Sequence, residues 1–313
     1  MKLEKRKIVI IGCGHVGVST AFCLINQGLC DEIALIDLNE EKVLGEVLDL
    51  SQSIEYMNRN THVKVGRYED CEDAQIVIIT ASVPTPQSGN DRLKMLEPSL
   101  NVMKSIITQI KEHHFDGHLI VVSNPVDLMS YYAYKLSGLP ANQVIGTGTT
   151  LDTARLKYFI AQKIQVDPRS VHAMVIGEHG DSEMIPWSTV RIGGKDIYSV
   201  VQDNQSRLGQ EPYQQMKKDT IQAGWEIFNR KGNTCYGIAS STVGIIRTIL
   251  HNENQILPVS TLLRGEYGQD DLFISVPAII DRSGVREIVE LRMTPQEQEE
   301  FNQSCQRLKS FYD

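Results

Sequence analysis

An α/β fold is predicted, with a doubly wound parallel sheet in the first half of the chain and an α+β arrangement in the second. Three observations predict it: an apolar strand running into a glycine turn at residues 8–17, alternation of apolar runs with amphipathic helices up to about residue 146, and a shift to glycine and threonine at 144–150. A chain of 313 residues can form one large or two medium domains. The boundary is placed after residue 147, giving spans 1–147 and 148–313.

Ile8, Val9, Ile10 and Ile11 form the first strand; Gly12, Gly14 and Gly17 follow in G-x-G-x-x-G spacing, and a helix is expected over 15–27. A second apolar run, 33–36, ends at Asp37, 20 residues after Gly17. The glycine spacing alone is weak, because glycines cluster in many turns. Set between a strand and a helix and followed by an acid at that distance, it marks a dinucleotide-binding unit of Rossmann type. Gly12 is expected to permit the tight turn, Gly14 to let backbone N–H groups approach a pyrophosphate, and Gly17 to let helix and strand pack closely. The phosphates would lie at the positive end of the helix dipole. Asp37 would accept hydrogen bonds from both ribose hydroxyls and repel a 2′-phosphate, which predicts NAD over NADP.

The first helix has apolar side chains on two faces, Val16, Thr20 and Cys23 on one and Val18, Phe22, Ile25 and Leu29 on the other, so it is expected to be largely buried. A charged helix over 40–53 offers Val43, Val47, Leu48 and Leu50 to the core. A fourth strand, 76–80, is continuously apolar, as when helices cover both faces of a sheet. Residues 81–92 hold two prolines and a glycine without apolar periodicity and read as a loop long enough to be a lid. A helix over 93–114 and a strand over 118–122 follow, ending at Ser123-Asn124-Pro125. Ligands in such sheets bind beyond the carboxyl ends of the strands, where Asn124 falls.

The second half is read as a helix over 152–163, a strand over 171–176, the loop Gly177-Glu178-His179-Gly180-Asp181, and a hairpin over 190–197 turning at Gly193-Gly194. Helices over 212–230 and from 232 to about 251 precede strands near 256–263 and 273–280, expected in a mostly antiparallel sheet. Thr294-Pro295-Gln296-Glu297 is a capping box with proline at the first helical position, opening a last helix whose apolar face is Phe301, Cys305 and Leu308.

Composition narrows the function. Charged residues at 22% and hydrophobics at 41% are ordinary for a globular enzyme. A net charge of −8 argues against sequence-independent nucleic-acid binding. No run approaches the roughly 18 apolar residues of a membrane span, and the basic residues 2–7 are too short a preface for a signal peptide. Six cysteines lack a C-x-x-C pair, so no metal site is expected and reduced thiols in a cytoplasmic protein are. The sequons at Asn204 and Asn302 then read as chance matches.

Asp152 and Arg155 project from one helix face. Such a pair is commonly a weak surface ion pair, but this one follows directly on the glycine-threonine crossing. His179 sits in the loop between Gly177 and Gly180, just past an apolar strand, where a histidine is more often structural or merely exposed. With Asp152 on its Nδ1, however, it would favour the charged form, hold one tautomer and exchange a proton with a ketone oxygen. Arg92, at the end of the proline-bearing loop, is ordinarily just a solvated side chain; on a closing lid it would stabilise charge developing on a carbonyl. Arg155 offers a planar fork suited to a carboxylate.

These motifs resemble the lactate/malate dehydrogenase family, in its NAD-dependent L-2-hydroxyacid branch. The resemblance spans nearly the whole chain and rests on IGCGHVG with Asp37, SNPVD at 123–127, GTGTTLDTAR at 146–155, IGEHGDSE at 176–183 and KGNTCYGIA at 231–239. It implies His179 as proton donor and acceptor, Asp152 as its partner, Arg155 as carboxylate anchor, Arg92 as lid arginine, Asn124 on the reacting oxygen and Thr234 beside the substrate. For NAD it implies Gly12, Gly14, Val16, Gly17, Asp37, Thr80, Ala81 and Asn124. It further implies a small 2-oxo or 2-hydroxy acid as substrate and a homotetramer or homodimer.

The lid departs from the family pattern. Counting forward from Thr80, Thr85 holds the position that discriminates substrates; counting back from Arg92, Pro86 does, so the loop is one residue longer than usual. Neither can pair with the second carboxylate of oxaloacetate, which disfavours malate dehydrogenase. A longer lid without the usual glutamine, though Gln87 is near, suits a larger branched 2-oxoacid as in the family's 2-hydroxyisocaproate dehydrogenases. A fructose 1,6-bisphosphate site, known in bacterial lactate dehydrogenases, would here use Lys157 and His172, which keep the charge but not an arginine fork. The rival from another class is a non-catalytic dinucleotide-binding protein of the same fold.

Overall fold

A computed structural model describes residues 5–83 and 92–312, with only the backbone described at 92–95. Thr85, Pro86, Gln87 and the Arg92 side chain therefore lie outside the described residues. The chain runs β1 (Lys7–Ile11), α1 (His15–Gln27), β2 (Glu32–Ile36), α2 (Glu40–Ser53), β3 (His62–Val65), β4 (Ile76–Ile79), α3 (Arg92–Glu112), β5 (His118–Val121), α4 (Val126–Ser137) and β6 (Val144–Gly146). It continues through α5 (Thr150–Ile164), β7 (Val171–His172), β8 (Arg191–Ile192), β9 (Lys195–Asp196), α6 (Ile197–Asp203), α7 (Gln205–Leu208), α8 (Pro212–Lys231), α9 (Tyr236–His251), β10 (Gln255–Arg264), β11 (Asp270–Asp281), β12 (Gly284–Ile288) and α10 (Pro295–Lys309). Internal contacts divide it into two units, one of the residues up to Thr147 with Cys235–Gln255 and Ile280–Arg286, the other of Gly148–Thr234, Ile256–Ile279 and Glu287–Asp313.

In the first unit the strands lie in the order β6-β5-β4-β1-β2-β3, every adjacent pair parallel. The chain winds outward in both directions from the β1–β4 neighbourhood, which makes that boundary the topological switch point. The isoleucine- and valine-rich strands β1, β2 and β4 are buried along their whole length, as continuous apolar runs require. The third strand, β3, is not placed by the sequence because HVKV holds only two apolar residues, and only Val63 of them is buried.

Two helix faces differ from expectation. Burial on α1 follows Gly17, Thr20, Ala21, Leu24 and Ile25, while Phe22 is 45% exposed, so this helix buries one face and not two. On α2 the buried stripe is Val43, Val47 and Leu50. Leu48 stands one residue, about 100° of helical turn, beyond Val47 and is exposed. Within this unit α9 packs against α1.

In the second unit, the expected strand over 171–176 is paired only at Val171 and His172. Ala173 and Val175 are buried without extending it, and Ile176 bridges to Met184 instead. The hairpin β8–β9 forms as expected, antiparallel, with Gly193 and Gly194 at φ +56° and +85° supplying the left-handed turn. The α10 capping box is present in both directions, Thr294 Oγ1 accepting from the Glu297 N–H and the Glu297 carboxylate from the Thr294 N–H. Phe301, Cys305 and Leu308 are buried.

Candidate active site

The glycine turn lies at the carboxyl end of β1. Gly12 has φ +104°, and a Cβ there would fall 2.4 Å from the Ala81 nitrogen, so glycine serves both the turn and a close approach to the end of β4. The Thr80 hydroxyl donates to the Gly12 carbonyl at 2.6 Å, and a Cβ on Gly17 would come within 1.9 Å of the same carbonyl oxygen. Gly14 behaves differently. It is the N-cap of α1, and a Cβ on it would meet nothing within 4 Å. No side chain caps α1 and no acid stands in its first turn, which leaves the positive end of the helix, with half-buried Val16 on it, to an anion.

Asp37 sits just past β2. One carboxylate oxygen accepts from the Cys13 N–H at 2.6 Å and the other from the Asn39 N–H at 3.2 Å, so it braces the glycine turn while retaining lone pairs for further donors. Beyond β5, the Ser123 hydroxyl donates to the Ala81 carbonyl at 2.5 Å. The next residue, Asn124, is exposed and precedes a cis peptide bond to Pro125. Open space at Gly14, an uncapped helix end and an acid at the end of β2 fit the pyrophosphate and ribose of NAD.

The second unit holds the titratable cluster. Three hydrogen bonds pin the start of α5: the Thr149 N–H to Ser275 Oγ at 3.1 Å, the Thr149 hydroxyl to the Val175 carbonyl at 2.5 Å, and the Val175 N–H to Thr153 Oγ1 at 2.9 Å. Asp152 stands in the first turn of α5, where the helix dipole favours its charge. Its Oδ2 lies 2.6 Å from His179 Nδ1, and its Oδ1 accepts from Arg155 at 2.8 Å. Burial opposes charge on Asp152, yet the imidazole and guanidinium outweigh it and hold the carboxyl below its ordinary range. With Nδ1 engaged by Asp152, proton exchange falls to Nε2.

The loop bearing His179 is clamped at both ends. Ile176 and Met184 exchange backbone hydrogen bonds at 2.9 Å each. The Glu178 N–H donates to Ser304 Oγ at 2.9 Å, and Arg307 contacts Glu178 and Asp181. His179 is 26% exposed, Asp152 3% and Arg155 14% at their side chains, a gradient from a dry anchor to an accessible imidazole. Thr234 lies half-buried in the link between α8 and α9.

Two residues with no role in the sequence reading belong to this cluster. Glu183 is 4% exposed, and one donor atom each from Asp152, His179 and Glu183 lies within 4.8 Å of the others. Both Asp152 oxygens are already engaged, so the trio makes a poor cation site. On α8, a Cβ at Gly224 would stand 3.3 Å from the Arg155 guanidinium; glycine leaves that fork room. A lone glycine inside a predicted helix was the available signal for Gly224, and the last letter of IGEHGDSE was the one for Glu183.

A dinucleotide cradle and a buried aspartate paired with an accessible histidine beside a guanidinium define a class, the nicotinamide-dependent oxidoreductases that work by acid–base chemistry. Comparison with known proteins makes it particular. Residues 6–146 match the NAD binding domain of lactate/malate dehydrogenase, and residues 149–313 match its alpha/beta C-terminal domain. The chain is 46% identical over 311 residues to L-lactate dehydrogenase 3 of Bacillus thuringiensis subsp. konkukian, covering 99% of this chain and 98% of the relative. It is 46% identical over 309 residues to an L-lactate dehydrogenase of Lactococcus lactis subsp. cremoris, with the same coverage. Among solved structures it is similar to the ligand-bound minor L-lactate dehydrogenase of Enterococcus mundtii, at 45% identity, a TM-score of 0.94 and 98% coverage of each chain. The chain belongs to the lactate/malate dehydrogenase family.

Proposed function

We propose that the protein is an NAD-dependent L-2-hydroxyacid dehydrogenase of the L-lactate dehydrogenase type, interconverting a 2-hydroxy monocarboxylate and its 2-oxoacid. The observation that carries this reading is the double engagement of Asp152, by His179 on one oxygen and Arg155 on the other. NAD, when bound, supplies the hydride acceptor for C2 of the hydroxyacid and the donor for the oxoacid. His179 gives a proton to the ketone oxygen in reduction and takes it back in oxidation, and Asp152 stabilises the imidazolium between those events. Arg155 binds the substrate carboxylate through its fork. Arg92 and Asn124 polarise the reacting oxygen, Thr234 lines the pocket, and residues 81–92 act as the lid over a substrate domain of 148–313. Val16, Thr80 and Ala81 complete the cofactor contacts with Gly12, Gly14, Gly17 and Asp37.

The names of the relatives favour lactate, whereas Thr85 or Pro86 at the discriminating lid position favours a larger branched acid. NADH oxidation with pyruvate, 2-oxo-4-methylpentanoate and oxaloacetate separates these readings. Turnover on one or both monocarboxylates is expected. Oxaloacetate as the best substrate overturns the monocarboxylate assignment, and no turnover on any favours a non-catalytic dinucleotide-binding protein. A cytoplasmic homotetramer or homodimer is the assembly we propose. Among the described residues no helix is long and apolar enough to cross a membrane. Lys157 is half-buried, and burial lowers its pKa from the ordinary lysine value; with exposed His172 it is our proposed site for fructose 1,6-bisphosphate. Unchanged activity and thermal stability on adding the sugar bisphosphate would remove that site.

A further inference from the structure

Arg155 and Asp152 carry opposite charges in hydrogen-bonding contact, so with His179 neutral, as oxidation of a hydroxyacid requires, the cluster that receives the substrate carboxylate is balanced only if nothing else in it is ionised. Glu183 is the group that decides this. Its carboxyl is buried, and its Oε1 is without a hydrogen-bond partner among the described residues. The Arg155 Nε is likewise buried and unpartnered. A charged carboxylate with an orphaned oxygen, this close to a second buried carboxylate, is far more costly than a neutral acid in the same place. We propose that Glu183 is a positioning residue that holds its proton in the working enzyme, keeping the Arg155–Asp152 pair charge-balanced so that the guanidinium stays attractive to an incoming carboxylate. This inference rests on the dehydrogenase reading above.

The charged groups around Glu183 come from three elements: Asp152 and Arg155 on α5, His179 on its own loop, and Lys217 on α8, which also pairs with Glu300 at 3.5 Å. Burial first, and the Asp152 charge second, push the Glu183 carboxyl up to about 8 against the opposite pull of His179, Arg155 and Lys217. Above that pH the cluster gains a negative charge and repels the substrate.

The hydroxyacid direction isolates the effect. There His179 must be neutral, so rising pH helps its part of the reaction, and a loss of hydroxyacid binding at alkaline pH needs another acid. In wild-type protein, KM for L-lactate with NAD should rise about tenfold between pH 7 and pH 9.5, and in Glu183→Gln it should stay at its neutral-pH value. A flat wild-type profile, or a parallel rise in the variant, overturns the proposal.

A second measurement is independent of turnover. Between the unfolded carboxyl value of 4.5 and about 8 the native wild type binds a proton that its unfolded chain has released. Its stability therefore falls with rising pH through that window, and the glutamine variant lacks this slope. The Tm of Glu183→Gln minus that of wild type should grow from pH 5 to pH 8; a constant difference overturns the proposal. Absence of turnover on L-lactate and on every 2-oxoacid would count against the dehydrogenase reading, while the Tm comparison would still judge Glu183.

Discussion

Asp152 shows how much one side chain can organise. At the first turn of α5 it is stabilised by the helix end, spends one oxygen on His179 and the other on Arg155, and so fixes an imidazole tautomer and aims a guanidinium together. If Arg155 anchors the substrate, Arg155→Leu removes a charge-assisted fork and should lower kcat/KM for the preferred 2-oxoacid about a thousandfold, with Arg155→Lys intermediate. Steady-state kinetics on the two variants check this: near-wild-type activity in Arg155→Lys would mean that charge alone matters, and equal losses in both would mean that the fork is indispensable. These residues were legible because LDTAR and GEHGD are short contiguous patterns. Glu183 was not, since its state is set by Asp152, far away in the chain, through burial that no local spacing encodes.

Elements carry the cofactor side of the argument. Three glycines occupy one motif, yet they meet different surroundings: Gly12 and Gly17 face backbone at 2.4 Å and 1.9 Å, while Gly14 faces open space. Gly17→Ala should destabilise the fold by about 2–3 kcal/mol, because a packed turn and helix must move apart. Gly14→Ala should leave Tm nearly unchanged and weaken NADH binding about tenfold, since its methyl would stand where a pyrophosphate approaches. Thermal melts with fluorescence titration of NADH separate the two, and a normal NADH affinity in Gly14→Ala would show that the phosphates lie elsewhere. Period and capping predicted α2 and α10 at their observed starts. Their exposed sides were harder: Phe22 and Leu48 are apolar on the open face, and apolar character alone does not say which neighbour, if any, covers it.

At the scale of the whole molecule, the cysteines report how closed the interior is. Five are buried and Cys23 is half-buried, and burial pushes the thiols of Cys13, Cys30, Cys71 and Cys305 up to about 12. An aromatic disulfide reagent at pH 8 should therefore label the native protein slowly, at Cys23 first, and all six cysteines after unfolding. Rapid native labelling of several thiols would contradict that packing. The amino-acid sequence by itself determined the alternating α/β plan, the preference for NAD and the candidacy of Asp152, Arg155 and His179, because each is written in hydrophobic period or in short motifs legible along the chain, while the meeting of Asp152 with His179, 27 residues apart, was left to the fold. Tertiary structure alone decided that α9 returns to pack with α1, that Gly224 clears space for Arg155, and that Glu183 stands buried against Asp152. Those facts arise from residues distant in the chain meeting where water is excluded, and it is that exclusion which turns an ordinary glutamate into a group able to keep its proton.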